Sequence, residues 1–309
     1  MTRRILIDTD AGSDDAVALV AALRDPAITV EAITVVAGNV PLPQAVHNTL
    51  LCIDMAGTYA PPVYAGRAAP LLRPLFTGEF THGEDGLGDM GWPPPSGAPA
   101  EGHAVDAMIR LAAQWAGTLE IVTLGPLSNL ALACLRAPEF AEQVKSVTVM
   151  AGTGTGGGNV TPLAEFNLYV DAEAGHIVLH SGLPLTFVPW DVSTEATFIT
   201  QADLDTLAAK TTPSADFCVR CNAKLKDYNW ATWGKVGMDW PDPLTLICAL
   251  YPEIITETLT TYAAIEHKSE MAYGQMMIDP YELLERTPNT VLVRAVDAAR
   301  FKELLFARL

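Results

Sequence analysis

Basic residues are scarce in this 309-residue chain: 19 Lys and Arg stand against 36 Asp and Glu, a formal net charge of −17. That balance repels a phosphate backbone, and no run of Lys or Arg makes a local exception, so nucleic acid is excluded as a partner. Cysteines are few and odd in number, Cys52, Cys134, Cys218, Cys221 and Cys248, which argues against a disulfide framework. Cys218 and Cys221 form a lone C-x-x-C with neither a second pair nor a flanking His, and read as two thiols one helical turn apart rather than a zinc or redox site. Long apolar runs are also absent. Stretches such as Ala16 to Leu23 fall far short of the about 20 residues that cross a bilayer, which excludes a membrane-spanning protein. The start reaches Asp8 after only three apolar residues and lacks a signal-peptide core, so the expected location is cytoplasmic.

Apolar side chains, by contrast, make up 50% of the residues, enough to bury a large core. Short apolar, β-branched runs recur at Ile5–Ile7, Ile28–Val36, Leu119–Leu124, Ser146–Met150, Leu185–Val188 and Thr290–Val296. Between them, Asp14–Leu23, Gln44–Met55, Ala104–Trp115, Ser128–Leu135 and Asp171–Leu179 carry apolar residues at helical spacing. Strands crossing over through helices predict an α/β fold with an open, mostly parallel sheet and helices on both faces. Two stretches break the rhythm. One is a Gly- and Pro-dense loop over residues 66–102, and the other is a helical, aromatic-rich segment near 211–250 with Phe217, Tyr228, Trp230, Trp233 and Trp240. With no linker-like composition and no internal repeat, the expectation is a single domain over residues 1–309.

From Ile5 to Ala16 a short apolar strand runs into four carboxylates, Asp8, Asp10, Asp14 and Asp15. Asp14 and Asp15 suit the first turn of a helix, where the dipole favours negative charge. Asp8 and Asp10, at the end of a buried strand, raise each other's pKa and need another explanation. A hard divalent cation supplies one, because carboxylate-rich oxygen sites suit calcium, or magnesium with more retained water. The turn also lies past the carboxyl end of a strand, where open α/β sheets bind ligands. An EF-hand is ruled out: the glycine falls at the wrong step, and Leu19 stands where the bidentate Glu belongs.

Asp8-Thr-Asp-Ala-Gly-Ser-Asp-Asp15 resembles the D-T-D-x-G-x-D-D signature of the inosine-uridine preferring nucleoside hydrolases. Further matches follow in family order: Gly38-Asn39, the loop Thr77 to Gly88 with His82, Leu124 to Ala131 with Ser128 replacing Thr, Asn159, Glu165-Phe-Asn167, and Asp242-Pro-Leu244. The resemblance implies a nucleoside hydrolase fold and calcium-dependent hydrolysis of the N-glycosidic bond of ribonucleosides to ribose and free base. It implies Ca2+ held by Asp10, Asp15, Asp242 and the Leu124 carbonyl, with Asp8 just behind, and Asp10 as general base on a metal-bound water. Asp14 would bind a ribose hydroxyl, Asn39, Asn159, Glu165 and Asn167 would hold the rest of the sugar, and Met150 would line the pocket. A small-molecule ribonucleoside as substrate and a homodimer or homotetramer are implied as well.

The chain departs from many relatives just ahead of the helix-opening Asp. Where they carry a histidine it has Pro241, preceded by Asp239 and Trp240. Protonation of the leaving base then falls to His82 or Tyr228, or to stacking on a purine by Trp92, Trp230, Trp233 or Trp240; each tryptophan suits a core position equally well.

Three other readings compete. Gly152-Thr-Gly-Thr-Gly-Gly157 matches G-x-G-x-x-G after a strand, with Asp171 and Glu173 about twenty residues on, but Asn159-Val-Thr-Pro162 follows where a helix should begin. Asp8-Thr-Asp10 also suits the nucleophile and acid of a magnesium-dependent phosphatase, although Gly12-Ser13 replaces the expected Thr or Ser and Asp14-Asp15 would lack a role. The third is a calcium-dependent nucleoside-binding protein without turnover. His47, His103, His176 and His180 sit in helical patterns without companion motifs and read as structural.

Overall fold

Strand β1 (Arg3–Thr9) turns Ile5 and Ile7 to one face of a sheet and Leu6 to the other, and all three are fully buried. The computed structural model, which describes residues 2–195 and 197–309, repeats this pattern across β2 (Ile28–Val35), β3 (Val63–Ala65), β4 (Leu119–Thr123), β5 (Ser146–Met150) and β6 (Leu185–Val188). Strands β7 (Ile199–Thr200) and β8 (Gly237–Met238) form a separate antiparallel pair, and β9 (Ile255–Ile265), β10 (Met276–Asp279) and β11 (Thr290–Val296) complete the main sheet. Among the described residues that sheet has nine strands in the order β10-β9-β11-β6-β5-β4-β1-β2-β3. From β11 to β3 all neighbours are parallel, while β9 runs antiparallel to both β11 and β10. The expected mostly parallel sheet is therefore present. The β-branched runs miss β3, which is only three residues long, and β9 and β10; β9 is exposed along its first half and its apolar content is diluted by Thr and Glu.

The helices are α1 (Ser13–Leu23), α2 (Leu42–Ala56), α3 (Glu79–His82), α4 (Ala104–Gln114), α5 (Ser128–Arg136), α6 (Phe140–Gln143), α7 (Phe166–Val170), α8 (Ala172–Leu179), α9 (Gln201–Ala208), α10 (Pro213–Arg220), α11 (Ala223–Trp233), α12 (Pro241–Leu250) and α13 (Ala298–Phe306). Helices α1, α2, α12 and α13 bury their apolar faces with Ile5 and Ile7, and α4, α5 and α8 bury theirs with Leu6, which covers both faces of the sheet. From β1 the chain builds β2 and β3 on one side, then returns to place β4 on the other. Strand order thus reverses at β1, and the crevice beyond the carboxyl ends of β1 and β4 is the point where such sheets bind ligands.

The Gly/Pro-dense loop contains the one-turn helix α3, which Phe80 fastens to α11 through Tyr228, ring centroids 5.7 Å apart. The glycine-rich loop after β5 is filled from within. The Asp191 carboxylate accepts N–H bonds from Gly154 at 2.7 Å and from Thr155 and Gly156 at 3.0 Å, so its amides are committed and no helix follows to receive a pyrophosphate. Asp171 and Glu173 are likewise engaged, with Ser128 and Tyr273. All five cysteines are free thiols. His176 stacks between His180 and His267 at 4.4 and 4.3 Å, and His103 caps α4.

Candidate active site

The acidic turn closes on itself before it meets anything else. Gly12 precedes α1, and its N–H donates to Asp15 Oδ2 at 2.9 Å, while the Thr9 hydroxyl donates to Asp15 Oδ1. Ala11 between them has φ 43°, a left-handed conformation. From the end of β2, the Asn39 N–H donates to Asp10 Oδ2 at 2.7 Å and its side-chain amide to Asp15 Oδ2 at 3.2 Å. From the start of α5, Asn129 donates to Asp8 Oδ1 at 2.9 Å, and its partner Ser128 ties the same turn to Asp171. Asp242, at the first turn of α12, completes the group: oxygens of Asp14, Asp15 and Asp242 all lie within 4.8 Å of one another. Asp10 stands beside this trio, with Oδ1 buried and unpartnered, as is Asp8 Oδ2 behind it.

Two glycines are required by this packing. A Cβ on Gly38 would sit 2.0 Å from Asp10 Oδ2, and one on Gly125 2.8 Å from Asp10 Oδ1. Gly38→Ala is therefore expected to displace Asp10 and lower turnover by about a hundredfold, a cost typical of a displacement near 1 Å. Steady-state kinetics beside an unchanged circular dichroism spectrum check it; near wild-type kcat would show that Asp10 tolerates the shift.

Burial pushes the carboxyls up: Asp8 to about 7, and Asp10, Asp14 and Asp242 well above the ordinary range, the last three with mutual repulsion added. Glu165, buried despite accepting N–H bonds from Gly152 and Asn167, is likewise pushed to about 7. These groups bind more protons in the folded than in the unfolded chain between their ordinary values, 3.8 and 4.5, and about 7. Ion-free protein is thus expected to be most stable below about pH 4 with respect to these groups and to lose stability as pH rises to about 7. Thermal melts of chelator-treated protein across that range check the slope, and a rise in Tm through it would refute the assignment.

A cation answers the same repulsion. The donors are hard oxygens drawn from α1 and α12, with two orphaned carboxylate oxygens, of Asp8 and Asp10, and they fit a divalent ion. The Leu124 carbonyl, at the end of β4, accepts from Asn167 Nδ2 at 2.8 Å and keeps a second lone pair.

Beside the carboxylates opens a cleft. Asp14, Asn39, Leu124, Met150, Asn159, Glu165, Asn167 and Asp242 all line it, so the residues expected to hold sugar share one cleft. His82 and Tyr228 line it too. Burial lowers His82 to about 4, so its ring is neutral at neutral pH. The Ser13 N–H donates to Nδ1 at 3.3 Å, which leaves the ring proton on Nε2.

The tryptophans separate. Trp240 is 1% exposed, packs in the core and donates to Asn222 at 3.2 Å, so it does not reach the cleft as a substrate contact. Trp92 stacks edge-on to Phe217 at 4.9 Å, and Trp230 is solvent-exposed; neither lines the cleft. Trp233 does, together with Phe80, Trp190, Asn229 and Asp239. Trp190 escaped sequence reasoning although a signal existed: it follows Pro189 at the carboxyl end of β6, the same edge that supplies Asp10, Asn39, Leu124 and Met150. Asn229 and Asp239 had no such marker, since one lies in α11 and the other just ahead of α12.

The fold is that of the nucleoside hydrolases, and comparison with known proteins agrees. Residues 5–303 match the model of the inosine-uridine preferring nucleoside hydrolase family. The chain is 36% identical over 310 residues to the pyrimidine-specific ribonucleoside hydrolase RihA of Salmonella gallinarum, covering 100% of this chain and 99% of that protein. A plant nucleoside hydrolase structure, PpNRh1, superposes with a TM-score of 0.94 at 28% identity over 100% of this chain and 99% of that one. The purine-preferring ribonucleoside hydrolase of Gardnerella vaginalis gives 0.92 at 27% identity, with 99% and 98% covered. The chain belongs to the inosine-uridine preferring nucleoside hydrolase family and is a hydrolase acting on N-glycosyl compounds.

Proposed function

We propose that this enzyme cleaves ribonucleosides in one step, by attack of water at the anomeric carbon with Asp10 as general base and calcium as cofactor. The observation that carries the reading is the buried convergence of Asp14, Asp15 and Asp242 beside the unpartnered Asp10 Oδ1. Asp10, Asp15, Asp242 and the Leu124 carbonyl would hold the ion, which when bound supplies a charge that orients the ribose diol and acidifies the attacking water. Asp14 binds a ribose hydroxyl, and Asn39, Asn159, Glu165 and Asn167 hold the remainder of the ring. As the glycosidic bond stretches, positive charge grows on the sugar, and the carboxylate and amide oxygens lining the cleft stabilise it. Asp10 takes the proton of the water. Neutral His82 donates a hydrogen bond from Nε2, and Tyr228 provides the O–H on the aromatic wall for the departing base.

The phosphatase reading needs Asp8 as nucleophile, yet Asp8 is tied to Asn129, and that reading leaves the convergence of Asp14, Asp15 and Asp242 without a role. Ribonucleosides and their 2′-deoxy counterparts separate the rest. Hydrolysis of the deoxy forms is expected to be at least about a hundredfold less efficient, because the site's polar groups are left unpaired. Equal rates would remove the diol from the mechanism, and tight binding of ribonucleosides without release of base would favour a binding protein.

A further inference from the structure

The aromatic end of the cleft holds a carboxylate that the hydrolytic steps do not use. Asp239 lines the cleft and is 8% exposed. Trp190 Nε1 donates to its Oδ2 at 2.5 Å and Asn229 Nδ2 to its Oδ1 at 2.8 Å. Both donors are uncharged, so they satisfy its lone pairs and leave its negative charge unpaired. No Lys or Arg among the described residues lines the cleft to pair with it. A charge so far out of water is costly unless a positive group meets it. The surroundings are aromatic: the rings of Trp190 and Trp233 lie 6.1 Å apart, those of Phe80 and Tyr228 5.7 Å apart, and all four line the cleft. Ring faces attract cations, and a carboxylate among them suits a flat organic cation. Strong acids are lacking at the same place. Pro241, ahead of Asp242, has no proton to give, and burial leaves the His82 ring neutral.

We propose that this enzyme also hydrolyses ribonucleosides whose base is itself a ring cation, N-ribosylpyridinium compounds foremost, with Asp239 as the counter-charge among the aromatic rings. Resting on the hydrolase reading above, this adds a substrate class whose leaving group needs no acid. The bond from the anomeric carbon to the ring nitrogen breaks with its electron pair returning to that nitrogen, and the pyridinium departs as a neutral pyridine. Water forms the new bond to carbon and gives its proton to Asp10, so no proton has to reach the base. Positive charge passes from base to sugar as the bond breaks, so the attraction of Asp239 is strongest before the reaction and reads in KM.

The test is kcat and KM, corrected for uncatalysed hydrolysis, of calcium-loaded wild type and Asp239→Asn. The substrates are a carboxamide-bearing ribosylpyridinium and the neutral ribonucleosides uridine, cytidine, inosine and adenosine. Wild type is expected to cleave the cation with kcat/KM at least about tenfold above the best neutral substrate, which still has to acquire a proton as it leaves. In Asp239→Asn the KM of the cation, divided by that of the best neutral substrate, is expected to rise at least about tenfold. A purely structural role would move both KM values in parallel and leave the quotient unchanged, which would overturn the proposal. Wild-type kcat/KM for the cation at or below that of the best neutral substrate would overturn it without recourse to the variant, even if that variant failed to fold. In that case cleavage of the neutral substrates leaves the hydrolase reading standing. Release of base from none of the five would sink that reading, and this proposal with it.

Discussion

Asp10→Asn is expected to lower kcat for base release by between about a hundredfold and ten-thousandfold, the range a positioned general base contributes. The substitution is nearly isosteric, and the amide oxygen can still accept from the Asn39 N–H that now reaches Oδ2 at 2.7 Å. What disappears is the capacity of Oδ1, buried and without a partner, to take a proton. Because the carboxylates of Asp14, Asp15 and Asp242 are untouched, the variant should still bind calcium, though more weakly. Loss of turnover together with retained ion separates a base from a mere ligand. Unchanged hydrolysis would remove Asp10 as the base, and an unfolded, ion-free variant would recast it as structural.

Asp242→Ala should act on the ion first. Outer partners of metal ligands typically cost about 10–100-fold in affinity when lost, and a direct carboxylate ligand should cost more than that. Asp242 sits among Asp14, Asp15 and Asp10, and burial with their repulsion holds its carboxyl well above the usual range. Removing it therefore relieves the ion-free protein while depriving the loaded one. The expected signature is opposite shifts in Tm, upward with chelator and downward with saturating calcium, and it is read by melting wild type and variant side by side. A parallel drop under both conditions would mean that Asp242 matters for packing at the head of α12 rather than for a cation.

The acidic half of the site was legible because it rests on short-range rules. A buried strand running into Asp8 and Asp10, with Asp14 and Asp15 in the first turn of α1, is costly without a cation, and that conflict is visible in the linear chain. The parallel strands other than the three-residue β3 were legible for a similar reason: each carries a short apolar, β-branched run. Strands β9 and β10 were not, since their antiparallel, half-exposed residues carry no such run. The aromatic end of the cleft resisted most. Trp190, Asn229 and Asp239 meet only through tertiary packing, from residues 49 and 10 positions apart. Trp240 misled because aromaticity near a site does not say which way a ring turns, and here the ring caps the core under α12. His82 was placed in the cleft by its loop motif, but its neutral state follows from burial against Ser13, which no spacing reveals.

One experiment bears on the cation-and-ribose cleft more directly than any substitution: titrate chelator-treated enzyme with calcium by calorimetry, and follow release of free base from a ribonucleoside at each addition. The predicted result is one ion per chain, negligible hydrolysis before the first addition, and activity rising in step with occupancy. Full activity in the chelated protein, or calcium binding that leaves the rate unmoved, would contradict it.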